Sequence, residues 1–145
     1  MMVKLVVQKK YQQKMTEDAK KELASVQTYF DTNPMELKKD TINCLILEGR
    51  TIEIREKMHV VLVLVNQCEF PVTAMKFQLK ITCEKEANLQ FAEATIYLDH
   101  NYLGKLNKGE GIIFHIEIPI NGKPRQAIYK NSDLKGELKQ VQVGS

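Results

Sequence analysis

The chain has 145 residues, 43% of them hydrophobic, which is the size and composition of one domain with a real core. Its net charge of +3 arises from 21 basic and 18 acidic residues, too slight a bias for the basic face on which nucleic-acid binding rests. No apolar run approaches the roughly 20 residues of a membrane-spanning helix, which excludes such a span.

At the N-terminus, Lys4 is followed by only Leu5, Val6 and Val7, far short of the signal-peptide core of about 7–15 apolar residues. The expectation is a cytoplasmic protein. Residues 2–8 alternate weakly and predict a short strand. Thr16-Glu17-Asp18 then supplies a helix cap followed by two acids in the first turn, favourable against the positive end of the helix dipole. Ala19, Leu23, Val26 and Phe30 fall on one stripe of an amphipathic helix, which Asp31-Thr32-Asn33-Pro34 stops.

Beyond Asp40 the pattern is that of strands. Ile42 to Leu47 is one apolar run, and Gly49-Arg50 reads as a turn into Thr51 to Glu56, where Ile52 and Ile54 alternate with polar residues. Val60 to Val65 is uninterrupted and mostly β-branched, typical of a strand buried on both sides or deep in a sandwich; after a turn at Asn66 to Pro71, Phe77, Leu79 and Ile81 alternate. Glu84 to Asn88 reads as a polar link, and Ala92, Ala94, Ile96 and Leu98 share one strand face. Asn107 to Gly111 predicts a turn before Ile112, Phe114, Ile116 and Ile118 at period two, and Asn121-Gly122 is the strongest hairpin signal. Pro124 would restrict the strand after it to a sheet edge, and Leu138 to Val143 reads as an edge strand or a loose tail.

Seven or eight short strands after one helix predict a mainly β fold: an immunoglobulin-like, two-sheet antiparallel β-sandwich with one N-terminal amphipathic helix. The expectation is a single domain over residues 1–145, with strand plus helix in 1–40, the sandwich core in 41–130, and an edge strand or tail in 131–145.

Catalytic chemistry finds little support. His59, His100 and His115 lack metal-ligand spacing, and Asp99-His100 and His115-Ile116-Glu117 read as ordinary surface or edge positions. Ser25, Ser132 and Ser145 stand outside any nucleophile-elbow context, and neither Gly104-Lys105 nor Gly109-Glu110-Gly111 forms a phosphate cradle. Cys44, Cys68 and Cys83 are odd in number and sit on or beside apolar strands, as reduced buried thiols do. Lys9, Lys10, Lys14, Lys20 and Lys21, interleaved with Glu17, Asp18 and Glu22, read as a solvated face; a weakly acidic partner or an anionic lipid surface is the alternative. No cofactor and no metal is expected.

One similarity emerges from the strand map. Leu5-Val6-Val7 through Met15-Thr16-Glu17-Asp18-Ala19, then Asn33-Pro34-Met35, Ile42 and Val63-Leu64-Val65-Asn66-Gln67, resembles the SLAP-type domain of accessory Sec system S-layer assembly proteins of Bacillus-like bacteria. That family's Pro-Val pair is matched by Pro71-Val72, and its Leu-Gly-x-Leu pattern by Leu103-Gly104-Lys105-Leu106. Its closing stretch is similar to Phe114-His115-Ile116-Glu117-Ile118-Pro119. The resemblance implies a non-enzymatic accessory protein that binds a protein client, secretion machinery or a surface-layer precursor.

The functional expectation is therefore a protein-interaction module, docking through a sheet edge or a helix face. The candidate surfaces are the Asn121 to Tyr129 edge, with Lys123, Arg125, Ala127 and Tyr129, and the helix from Glu17 to Phe30, with Glu17, Lys20 and Lys21. The alternatives are a structural domain of a larger assembly, or a small-ligand or metal-binding enzyme resting on the three histidines with Asp99 or Glu117.

Overall fold

In the computed structural model, which describes residues 3–52, 56–83, 90–121 and 127–144, the chain is mainly β and forms two sheets with a helix over one of them. Lys4–Leu5 (β1) is a short strand, and a 3-10 turn follows at Lys9–Tyr11. Thr16 caps the helix Glu17–Thr32 (α1) by accepting a hydrogen bond from the Ala19 N–H at 3.1 Å. At the other end the Asn33 side chain donates to the Tyr29 carbonyl at 2.9 Å, satisfying one of the orphan acceptors of the last turn.

The strands Ile42–Ile52 (β2), Lys57–Asn66 (β3), Ala74–Cys83 (β4), Gln90–Phe91 (β5) and Ala94–Leu98 (β6) come next. A helical turn, His100–Leu103 (α2), precedes Glu110–Asn121 (β7), Ile128–Lys130 (β8) and Leu134–Gly144 (β9). The larger sheet has the order β1-β7-β3-β2-β8, with β5 beside the end of β7; the smaller has the order β6-β4-β9. Among the described residues, every strand pair is antiparallel except β1 with β7.

The position of β3 explains its unbroken apolar run. Val60, Leu62 and Leu64 face the smaller sheet and pack with Met75, Phe77, Leu79 and Ile96. Val63 and Val65 face the other way and pack with Val3, Leu5, Phe30 and Leu37. A strand covered on both faces has no use for polar alternation. Two side-chain bonds tie α1 to β1 across this second layer: the Leu5 N–H donates to Gln27 Oε1 at 2.7 Å, and Gln27 Nε2 donates to the Val3 carbonyl at 2.8 Å.

Between β3 and β4 the chain passes from one sheet to the other, and Asn66, wholly buried, holds that crossing. Its amide donates to the carbonyls of Leu106 at 2.9 Å and Phe70 at 3.1 Å, while its oxygen accepts the Cys68 N–H at 2.8 Å. The turn before β7 uses Gly109 at φ 85, a conformation glycine adopts without a Cβ penalty.

Two expectations need correction. Gly49-Arg50 is not a turn, because β2 runs through it. Glycine there allows a close approach: a Cβ on Gly49 would lie 2.6 Å from Leu134 Cδ1 and 2.8 Å from Met58 Sδ, side-chain ends that would have to shift. Nor does Asn121 lead into a hairpin with β7 as one arm, since β8 pairs with β2 while β7 is flanked by β3 on one side and by β1 and β5 on the other. Tyr97 is 64% exposed on β6. The C-terminal segment is an ordered strand, β9, which absorbs an extra residue opposite Phe77 by placing Gln140 at φ 52. The link at Glu84 to Asn88, the alternation through Ile54, and Gly122 and Pro124 lie outside the described residues.

Candidate docking seam and groove

The two surfaces singled out by sequence meet at one place. Between the C-terminal half of α1 and the edge strand β8 lies a hollow of about 390 Å³, lined by Val26 and Tyr29 of the helix, Leu47 of β2, and Ile128 to Asn131. The Asn131 side chain donates to the Tyr29 hydroxyl at 2.9 Å and closes one end. Leu47 shares the helix-side face of Leu45, two residues before it, and is the extra residue of a bulge in β2, between Ile46 paired with Leu62 and Glu48 paired with Val61.

Backbone direction in β8 is fixed by its neighbour. The Thr51 N–H donates to the Ala127 carbonyl at 3.0 Å, and the Ala127 N–H donates to Thr51 Oγ1 at 2.7 Å. By the alternation of an antiparallel pair, Tyr129 then faces Gly49, and the N–H and C=O of Ile128 point away from β2. Lys130 uses its own groups locally: its N–H donates to Asp133 Oδ2, and its carbonyl accepts the Asp133 N–H. Among the described residues, Ile128 therefore offers the outward backbone pair of this edge, and its side chain is 60% exposed.

A second concavity, of about 450 Å³, lies at the other end of α1. Ala19, Glu22 and Leu23 form one wall, Val6 to Gln8 and the Tyr11 to Thr16 stretch another, and Ile113 to His115 of β7 the floor. Gln8 is buried and donates to the Ile113 carbonyl at 2.6 Å. Tyr102 packs edge-on against both Tyr11 and Phe114, and burial, reinforced by Tyr11, pushes its phenol up to about 12. Lys10 Nζ lies 5.7 Å and 5.9 Å from the ring centroids of Tyr11 and Tyr102, within cation–π range.

Where α1 passes over β7, three side chains form a chain. Glu22 Oε1 is 2.8 Å from His115 Nε2, and His115 Nδ1 is 2.9 Å from His59 Nε2. A carboxylate only accepts, so His115 donates from Nε2; in the neutral ring its Nδ1 then accepts and His59 donates from Nε2. This arrangement latches helix to sheet. His115 spends both nitrogens in it, and no group of three or more metal-binding side chains converges among the described residues.

The other sequence candidates are separate from one another. His100 is exposed in α2, and Asp99 spends its carboxylate accepting the Tyr102 N–H at 2.9 Å as that helix's cap. Glu17 and Lys20 pair at 3.5 Å on the exposed first turns of α1, where Lys21 is also exposed, away from the seam. Ala127 is half-buried, and Tyr129 is turned inward at 3% exposure. Lys123 and Arg125 lie outside the described residues. All three cysteines are free thiols; burial raises Cys44 to about 12 and raises Cys68 as well. No helix among the described residues is long and apolar enough to cross a membrane.

Sequence reasoning passed over Glu22, Tyr29 and Asn131. No spacing rule links residue 22 to 115 or residue 29 to 131, because each pair meets only once α1 lies on the sheet. Comparison with protein-family models, with curated proteins and with solved structures finds no match to this chain.

Proposed function

We propose that the chain is a non-enzymatic protein-interaction module, of the kind an accessory factor in secretion or surface-layer assembly would be, and that it docks an extended client segment at the seam between α1 and β8. The observation that carries this reading is Ile128: an exposed apolar residue with outward backbone groups, on an edge strand, beside an apolar hollow. Strand addition works through that combination, with main-chain hydrogen bonds holding the segment and a pocket selecting one of its side chains. The client is then an extended segment that places a leucine- or valine-sized residue in the hollow. We read the two facing sheets as an immunoglobulin-like sandwich that serves as the rigid support for this edge.

The test is an amide-resolved NMR titration with a strand-forming peptide of alternating threonine and leucine. Saturable shifts at Val26, Tyr29, Ile128 and Lys130, abolished by Ile128→Lys, are expected. Ile128→Lys changes an exposed position and leaves the fold intact. Shifts confined to β9, or a response unchanged in the variant, would sink the reading. Photo-crosslinking from position 128 in the native host then identifies the client.

A further inference from the structure

We propose that the groove beneath the first half of α1 binds a small amphiphile with an anionic head, such as a medium-chain carboxylate. The inference is independent of the docking seam, which lies at the other end of the helix. The alkyl chain would lie against Val6, Met15, Ala19, Leu23 and Ile113, and the head would face Lys14 at the rim. A volume of about 450 Å³ falls inside the roughly 300–1,000 Å³ of small-ligand pockets, which are likewise apolar with a few polar groups.

Charge decides the head group. Of the acids nearby, Glu22 is the one that lines the cavity and it is bonded to His115, whereas Glu17, in contact with Lys20, and Asp18 lie on the exposed first turn of α1 outside the lining. Lys9, Lys10 and Lys14, by contrast, have no carboxylate within ion-pair distance among the described residues. They sit on the 3-10 turn and the loop after it, and Lys14 itself lines the cavity. An apolar slot with Lys14 in its lining, and Lys10 over the rings of Tyr11 and Tyr102 that also line it, is complementary to an alkyl chain that ends in negative charge, and it disfavours a cationic amphiphile.

The experiment is an NMR titration of the full chain with decanoate, below its micelle-forming concentration, beside decanol and inorganic phosphate. Decanoate is expected to give saturable shifts confined to Val7, Ala19, Ile113 and His115. Decanol should bind the same residues more weakly, and phosphate alone should leave them unmoved. Lys14→Gln, at an exposed position, should weaken decanoate about fivefold, the upper range for one partly exposed charge pair, and leave decanol unchanged. Ala19→Met narrows the slot and should weaken both ligands; should that variant not fold, the Lys14→Gln comparison stands alone. Decanoate shifts that never saturate or scatter over the surface, or equal decanoate binding by wild type and Lys14→Gln, would overturn the proposal.

Discussion

Truncating Phe30 to alanine asks whether α1 is a cover for the sheet or a detachable arm. Phe30 is 5% exposed and packs with Leu37, Val63 and Val65, so removing its ring from a site that cannot fully collapse costs about 3–5 kcal/mol. A free 16-residue helix is marginal in water, which makes the sheet contact the main source of its stability. The loss should therefore appear first as local undocking of α1. With every 1.4 kcal/mol worth a factor of ten, native-state hydrogen exchange of the α1 amides should accelerate by roughly two to three and a half orders of magnitude. Amides of β4, on the far sheet, should change far less under the same conditions. An α1 acceleration below about tenfold would refute the packing argument. Equal acceleration in β4 would show instead that helix and sandwich open as one unit. By the same reasoning, deleting residues 1–40 should give insoluble protein, because it bares Leu45, Val63, Val65 and Ile113 together.

Gly49→Ala should destabilise by about 1 kcal/mol in urea unfolding, the low end for overpacking, since its new methyl displaces two flexible side-chain ends; a stabilising result would contradict the close-approach account. Asn66→Ala leaves the Cys68 N–H unpaired in the interior, at about 1–3 kcal/mol, while the Leu106 carbonyl keeps the Val72 N–H; the same unfolding assay reads the loss. Alkaline pH should weaken the fold: the Cys44 thiol, ordinarily ionising near 9.0, stays protonated in the folded chain up to about 12, so the folded state holds more protons across that window and stability falls as pH rises through it. The loss from Cys44 alone approaches about 3 kcal/mol at pH ~11, Tyr102 acts in the same direction above pH ~10, and Cys44→Ala should flatten the slope. In their neutral forms both His59 and His115 should appear by nitrogen-15 NMR as Nε2–H tautomers, with Glu22→Ala releasing His115 from that preference.

What could be read in the sequence was whatever depends on neighbours along the chain. Thr16 as a cap, the period-two strands and the doubly buried β3 all follow from local sterics and burial. The misreadings at Gly49 and Asn121 share a cause. A glycine in a turn and a glycine under a crossing side chain look alike until Leu134, 85 positions away, is brought beside it. An Asn-Gly pair favours a tight turn, yet cannot say that both sides of β7 will already be occupied. The seam and the groove were illegible for the same reason, because each joins α1 to strands from the second half of the chain.

The geometry of the seam also limits how it can work. Ile128 offers one backbone donor and one acceptor, each worth about 0.5–1.5 kcal/mol net. One aliphatic side chain in the hollow adds about 1.5–3 kcal/mol. Their sum only reaches the lower end of the roughly 4–15 kcal/mol that association costs in lost freedom. A segment held there alone must therefore leave quickly, and a lasting complex has to extend along the contiguous face of α1 past Ser25 and Val26. Affinity should consequently rise with the length of the client segment on the helix side, whereas the hollow beside Ile128 sets which residue enters first.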